Sequence, residues 1–279
     1  MKKYLLILSI FTALPNIYAQ SGIELANKMI AKVKSLKTLQ CTFESKERVL
    51  GKTFGEKNNF KINLKPFKAY FKQESPVKGL EGLYISGENN NKAKINPNAF
   101  PWITLNLDPE GELMIKNHHH PILHAGYGYV AEVLEMLIIK YQAKAPNLIV
   151  NKGTITYQSE EVIVLDCNNP FYKIQSLKLT KAETPYALGK RLHINYLSIL
   201  EENPGLKPFS EIPEGNTIKI PSDYASKMLI YLNKTHLYPV YIKVSDPKGL
   251  FEEYKFTNVI INPVFKPEDF SAENPKYNF

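Results

Sequence analysis

Cysteine is scarce: the 279-residue chain has two, Cys41 and Cys167. At most one disulfide can form, so no disulfide framework holds this fold. Both cysteines fall in apolar, strand-like runs, where a thiol behaves as a small buried hydrophobe. Neither stands in a recognised Cys/His signature. Glycine is modest at 14 residues, and no Gly-rich phosphate loop is present. No Gly-x-Ser-x-Gly elbow occurs either. Beyond the N-terminus, no apolar run is long enough to span a bilayer.

What is present is aromatic and β-prone. The chain carries 17 Tyr and 14 Phe, with 44% hydrophobic and 22% charged residues. That balance can bury a real core. The formal net charge is +8, with the basic residues scattered along the chain. A scattered excess of this kind reads as a solvated surface, not as a nucleic-acid footprint. At the start, Lys2 and Lys3 precede "YLLILSIFTAL" and then "NIYA". This is the pattern of a secretory signal peptide over residues 1–19, cut before Gln20. The expected location is therefore the periplasm or cell envelope, with no transmembrane segment in the mature chain and no nucleic-acid partner.

Periodicity gives the element types. Leu25, Met29, Val33 and Leu36 predict an amphipathic helix over residues 22–36. Alternation follows in "TLQCTFESKERV" and "NFKINLK", then a hairpin around "GENNNK", then the strand "WITLNL" closed by Asp108-Pro109-Glu110-Gly111. A second helix carries Val130, Val133, Leu134, Leu137, Ile138 and Tyr141. More hairpins follow, and the sum is a curled antiparallel sheet with covering helices, an α+β fold. One segment breaks the rhythm. From about residue 177 to 221 the pattern is strand, helix, helix, strand. Its first strand is expected at "LKLTK". Thr184 caps the first helix with Pro185 at its first position, and Asn195 caps the second.

The line "NHHHPILHAGYG", residues 117–128, holds four of the six histidines. His120 and His124 would share a helical face, but Pro121 lies between them and biases His120 toward an extended backbone. The nearest acids, Glu110, Glu112, Glu132 and Glu135, stand at no recognised ligand spacing. The stretch reads as a strand-to-helix loop, with His120 and His124 at a cavity rim and His118 and His119 facing solvent. No catalytic residue, metal or cofactor is expected. The Glu-Glu pairs at 160, 201 and 252 point to opposite sides of their elements and read as surface.

Two resemblances organise these parts. The βααβ segment resembles a LysM module through Glu183-Thr184, Leu188-Gly189, Ile199, Asn203-Pro204 and Gly215…Ile218-Lys219-Ile220-Pro221. It lacks the Gly-Asp of the usual first loop. The resemblance implies peptidoglycan contact through Glu183, Thr184, Pro185, Asn203, Pro204, Gly205 and Leu206. The flanking parts are similar to the lipoprotein-localisation (LolA-like) carriers. The residues carrying that likeness are "TLQCTFESKERV" and the ending with Asn258, Asn262 and Phe270, while the middle, through Lys78-Gly79, Tyr84, Gly87, Asp108-Pro109 and His120-Pro121-Ile122…Gly126, resembles an exported bacterial family of unknown function within that superfamily. This implies a half-barrel with an apolar cavity for a lipid or acyl chain, lined by Phe43, Phe60, Phe71, Tyr84, Trp102, Tyr254, His120 and His124. The expected division is 20–171 and 222–279 for the half-barrel and 175–221 for the insert. The resulting expectation is a non-enzymatic envelope binding protein. A metal-dependent or glycan-processing enzyme centred on residues 118–124, and a structural protein without ligand, are the alternatives.

Overall fold

A computed structural model of the chain describes residues 20–100 and 102–279. The expected signal peptide lies outside the described residues. Helix α1 (Gly22–Ser35) opens the fold, capped by Ser21, whose hydroxyl accepts from the Glu24 amide. Strands β1 (Thr38–Val49), β2 (Lys52–Leu64), β3 (Phe67–Ser75), β4 (Glu81–Ile85), β5 (Ala93–Asn96) and β6 (Leu105–Leu107) follow. Next come α2 (Glu112–Ile115), a 3-10 turn (Ile122–His124) and α3 (Gly128–Tyr141). Strands β7 (Ile149–Tyr157) and β8 (Glu160–Asn168) form a hairpin. Then β9 (Ile174–Lys178), α4 (Pro185–Leu192), α5 (Tyr196–Glu202) and β10 (Thr217–Pro221) make the βααβ segment. Strands β11 (Lys227–Asn233), β12 (Pro239–Asp246) and β13 (Gly249–Ile261) complete the chain, with a 3-10 turn at Pro267–Phe270.

Eleven strands form one antiparallel sheet in the order β6-β5-β4-β3-β2-β1-β13-β12-β11-β8-β7. The sheet is curled but not closed. Strand β1 sits at its centre, pairing β2 on one side and β13 on the other. The second sheet is the pair β9-β10, so this segment interrupts the large sheet without joining it. Its first strand begins at Ile174, three residues before the expected start. The reason is register: Ile174 to Lys178 pair with Pro221 to Thr217, and that pairing decides where the strand lies.

Helices α1 and α3 fill part of the concave face. Leu25, Ala26, Met29, Ile30 and Val33 of α1 and Ala131, Leu134, Leu137 and Ile138 of α3 join one core with Leu39, Ile62, Leu165, Met228 and Ile242 of the sheet. Each buried Leu, Ile, Val or Met side chain among them contributes about 1.5–3 kcal/mol. Cys41 and Cys167 are free and buried in this same core. Burial pushes both thiols up to about 12, which makes them unreactive packing groups.

The βααβ segment has its own small core of Leu188, Ile194, Ile199, Ile212, Ile218 and Ile220. Gly189 permits its tight helical turn, since a Cβ there would meet the Ile194 carbonyl oxygen at 2.9 Å. The segment is also clamped to the sheet. Tyr196, Leu197 and Leu200 pack on Val49 and Ile115. Arg48 donates to both carboxylate oxygens of Glu201 at 3.1 and 3.0 Å, and also reaches Asp246 and the Leu250 carbonyl. Glu201, read from sequence as surface, is thus buried: Arg48 of the central strand draws it in, and its side chain is 7% exposed. Removing Arg48 leaves two buried carboxylates without their shared cation. Arg48→Ala is expected to cost about 3–5 kcal/mol. Urea unfolding checks this, and a loss below about 1 kcal/mol would mean that the clamp carries no energy.

Candidate functional site

The concave face changes character along each central strand. On β1, residues 39, 41, 43, 45, 47 and 49 point inward by alternation. Leu39 and Cys41 lie under the helices. Cys41, Phe43, Ser45 and Glu47 line a cavity, and Val49 packs under the insert. On β2, Phe60, Asn58 and Glu56 line the same cavity. Cross-strand register places Phe43 opposite Asn58 and Ser45 opposite Glu56. On β13, Phe256, Tyr254 and Glu252 repeat the sequence from aromatic to acidic. The cavity is about 150 Å³, with aromatic and aliphatic walls at one end and carboxylates at the other.

A buried polar network closes the acidic end. Glu47 and Glu252 stand directly opposite each other on β1 and β13. Like charges so placed repel. The histidine loop supplies what offsets the repulsion. The His119 amide donates to Glu47 Oε2 at 2.8 Å, and His119 Nδ1 lies 2.8 Å from Glu252 Oε2. His119 Nε2 is 2.8 Å from the Arg48 carbonyl oxygen. A carbonyl and a carboxylate both only accept, so both ring nitrogens donate and the ring is an imidazolium. Tyr254 donates to Glu47 Oε1 at 2.7 Å, and Tyr224 donates to Glu252 at 2.9 Å. His120 Nε2 lies 3.0 Å from the Tyr224 hydroxyl. Burial alone would push the Glu252 carboxyl up. Hydrogen bonds from His119 and His120 outweigh it and hold the group well below the usual carboxylate range. For His119, burial opposes the charge, while Glu47 and Glu252 outweigh it and raise the ring's pKa. Burial keeps the Tyr224 and Tyr254 hydroxyls protonated far above their ordinary range.

The insert buttresses the loop that carries His119. Asn195 Nδ2 donates to the His119 carbonyl at 3.3 Å, and the Tyr196 hydroxyl reaches the His118 carbonyl at 3.0 Å. His124 is different. Its ring stacks on Tyr129 with centroids 4.4 Å apart, and its buried Nδ1 has no partner. Burial, then nearby His120 and Lys190, push it down to about 3, so the ring is neutral. Among the described residues, no group of three or more His, Cys, Asp or Glu side chains is placed to hold a metal ion.

These two histidines should titrate stability in opposite directions. The His119 pKa is raised on folding, so its contribution is present below about 6.5 and is lost as pH rises through the folded value. The His124 pKa is lowered, so the unfolded chain takes up the proton first and stability falls as pH drops from 6.5 toward 3. The stability difference between wild type and His124→Gln should shift against wild type by about 1.4 kcal/mol per pH unit in that window. The difference for His119→Gln should run the other way above about pH 6.5. Denaturant midpoints across pH read both slopes.

Of the expected cavity residues, Phe43, Phe60, Phe71, Tyr254, His120 and His124 line the space. Two do not. Tyr84 is buried beside Phe67 and Phe71, where Met114 of α2 and Ile122 and Leu123 of the histidine loop fill that part of the face. Trp102 follows β5 with φ 58 and is 70% exposed. His119, expected in solvent, is 3% exposed, and Glu252, read as surface, is likewise 3% exposed. Their burial is mutual, since each is the other's partner. The alternation past Phe43 to Ser45 and Glu47, and past Phe60 to Asn58 and Glu56, was the available signal for the polar end.

The expected glycan residues separate into two groups. Glu183 is bound by Arg191, Thr184 caps α4 through the Ala187 amide, and Pro185 is buried in its first turn. Asn203 gives its whole amide to Ile199 and Lys219 backbone. Pro204, Gly205 and Leu206 instead line an open groove with Leu50 and Gly51 of the β1–β2 turn.

The solved structures that resemble this chain share little sequence with it. A DUF1329 family protein from Desulfovibrio piger is 10% identical at a TM-score of 0.37, over 90% of this chain and 95% of that one. A putative outer membrane lipoprotein-sorting protein domain from Vibrio parahaemolyticus is 12% identical at 0.33, over 90% and 96%. A LolA superfamily protein from Nitrosomonas europaea is 8% identical at 0.32, over 91% and 98%. No curated protein matches the chain. The model of one family, described as a protein of unknown function (DUF1571), matches residues 36–190, more than half of the sequence, and the chain belongs to that family.

Proposed function

We propose that this chain is a non-enzymatic binding protein of the cell envelope, whose LolA-like half-barrel holds the alkyl chain of a lipid or acylated ligand. The observation that carries this reading is the cavity itself. Phe43, Phe60, Phe71 and Phe256 present apolar surface to an unfilled space in an otherwise packed concave face. Interiors normally close such gaps. A cavity near 150 Å³ takes a ring or part of one chain, so the ligand enters by a single alkyl tail. No helix among the described residues is long and apolar enough to cross a membrane.

An enzyme centred on the histidines fits less well. A general base needs a free lone pair within reach of substrate. Both nitrogens of His119 are spent, and Glu252 accepts from Tyr224 and the His119 ring, with the His120 ring 3.3 Å away. The LysM-like insert is proposed to contact peptidoglycan or a partner through the groove at Pro204, Gly205 and Leu206. Two measurements test the pair of proposals. Titration with a fluorescent fatty-acyl probe should show saturable binding displaced by unlabelled amphiphile, and absence of binding would remove the carrier reading. Sedimentation with isolated peptidoglycan should retain the protein and lose it on Leu206→Asp; equal sedimentation of both would remove the groove.

A further inference from the structure

The polar end of the cavity keeps an acceptor that no donor fills, beside three carboxylates. Glu47, Glu56 and Glu252 line it together with the His118 and His120 rings, and the His119 imidazolium lies behind them. Glu56 keeps partial access to solvent, at 22% exposed, with His118 Nε2 3.5 Å away. Asn58 supplies an independent observation. It is 3% exposed, it lines the cavity, and its Oδ1 is buried without a partner. The amide orientation is fixed, because Asn58 Nδ2 donates to Glu56 Oε2 at 3.0 Å and that carboxylate only accepts. An acceptor left bare in this way costs about 1–3 kcal/mol, which a ligand donor would recover. Glu47 also has spare capacity, since each of its oxygens takes one hydrogen bond and can take a second.

Resting on the alkyl-chain reading, we propose that the cavity selects an amphiphile with one alkyl tail and a protonated amine at its head. The tail lies along Phe43, Phe60 and Phe71, and the ammonium meets Asn58 Oδ1, Glu56 and Glu47. The row of residues on β1 and β2 runs from aromatic to acidic in the same direction, so both parts of the ligand are met in order. An ammonium brings three donors and no acceptor, which matches a site of acceptors. A carboxylate head would face three anions and an unpaired carbonyl oxygen.

The test is binding of dodecylamine, dodecanol and dodecanoate to the whole protein by calorimetry at neutral pH. The amine is expected to bind about tenfold or more tighter than the acid, in keeping with charge-assisted hydrogen bonds. Glu56→Lys, at the most exposed of the acceptors, is expected to reverse that order. Equal affinities, or tighter binding of the acid by wild type, would overturn the amine head and leave the alkyl cavity standing. Binding of none of the three would overturn both.

Discussion

Glu252→Gln is expected to destabilise the protein by about 3–5 kcal/mol, whereas Glu253→Gln, one residue along the same strand, should cost no more than about 1 kcal/mol. The two side chains point to opposite faces of β13. Glu253 faces outward, where it accepts from Tyr241 at 2.7 Å and lies 3.7 Å from Lys46. A glutamine there keeps the acceptor. Glu252 sits opposite Glu47 in the interior and neutralises the His119 imidazolium. A glutamine in its place turns one acceptor oxygen into a donor that faces other donors. It also leaves a buried cation with Glu47 alone. Urea midpoints of the two variants give the comparison. Similar losses for both would mean that the buried network is not a stabilising unit.

Val130→Trp is the second large effect. Val130 lies on α3 and lines the cavity opposite the strands. An indole at that position occupies the space assigned to the alkyl tail. Affinity for a fluorescent acyl probe should fall about 100-fold or more, the loss expected when several methylenes lose their burial. Overpacking costs about 1–3 kcal/mol, so the variant should still fold. Unchanged affinity in a folded Val130→Trp would place the probe elsewhere on the molecule.

Much of the scaffold was legible because it rests on local pattern. The 3.6-residue period gave α1 and α3 within a few residues, and Thr184-Pro185 and Asn195 marked the starts of α4 and α5. Alternation gave most strands of the sheet, but of the strand expected at "WITLNL" only Leu105–Leu107 forms, because only those residues pair with β5. The polar end of the cavity was not legible, because burial of a charge depends on partners far away in sequence. His119 meets Glu47 across 72 residues and Glu252 across 133. An adjacent Glu-Glu pair correctly implies opposite faces, but not which face is the inside one. Phe251 adds to this. A bulge where β13 passes β12, between Val244 and Ser245, leaves it as an extra residue, so it is buried beside Glu252 despite the alternation. Trp102 shows the reverse error: aromatic character suggested the wall, and the turn after β5 put it outside.

An alkyl tail held in the cavity, with its head toward Glu47, Glu56 and Asn58, should survive purification as a bound amphiphile. Native mass spectrometry of the purified protein, followed by organic extraction and identification of whatever is released, tests it most directly. The wild-type protein is expected to release one amine-bearing amphiphile per chain, and Val130→Trp none. A wild-type protein that carries no amphiphile and takes up none when dodecylamine is supplied would contradict it.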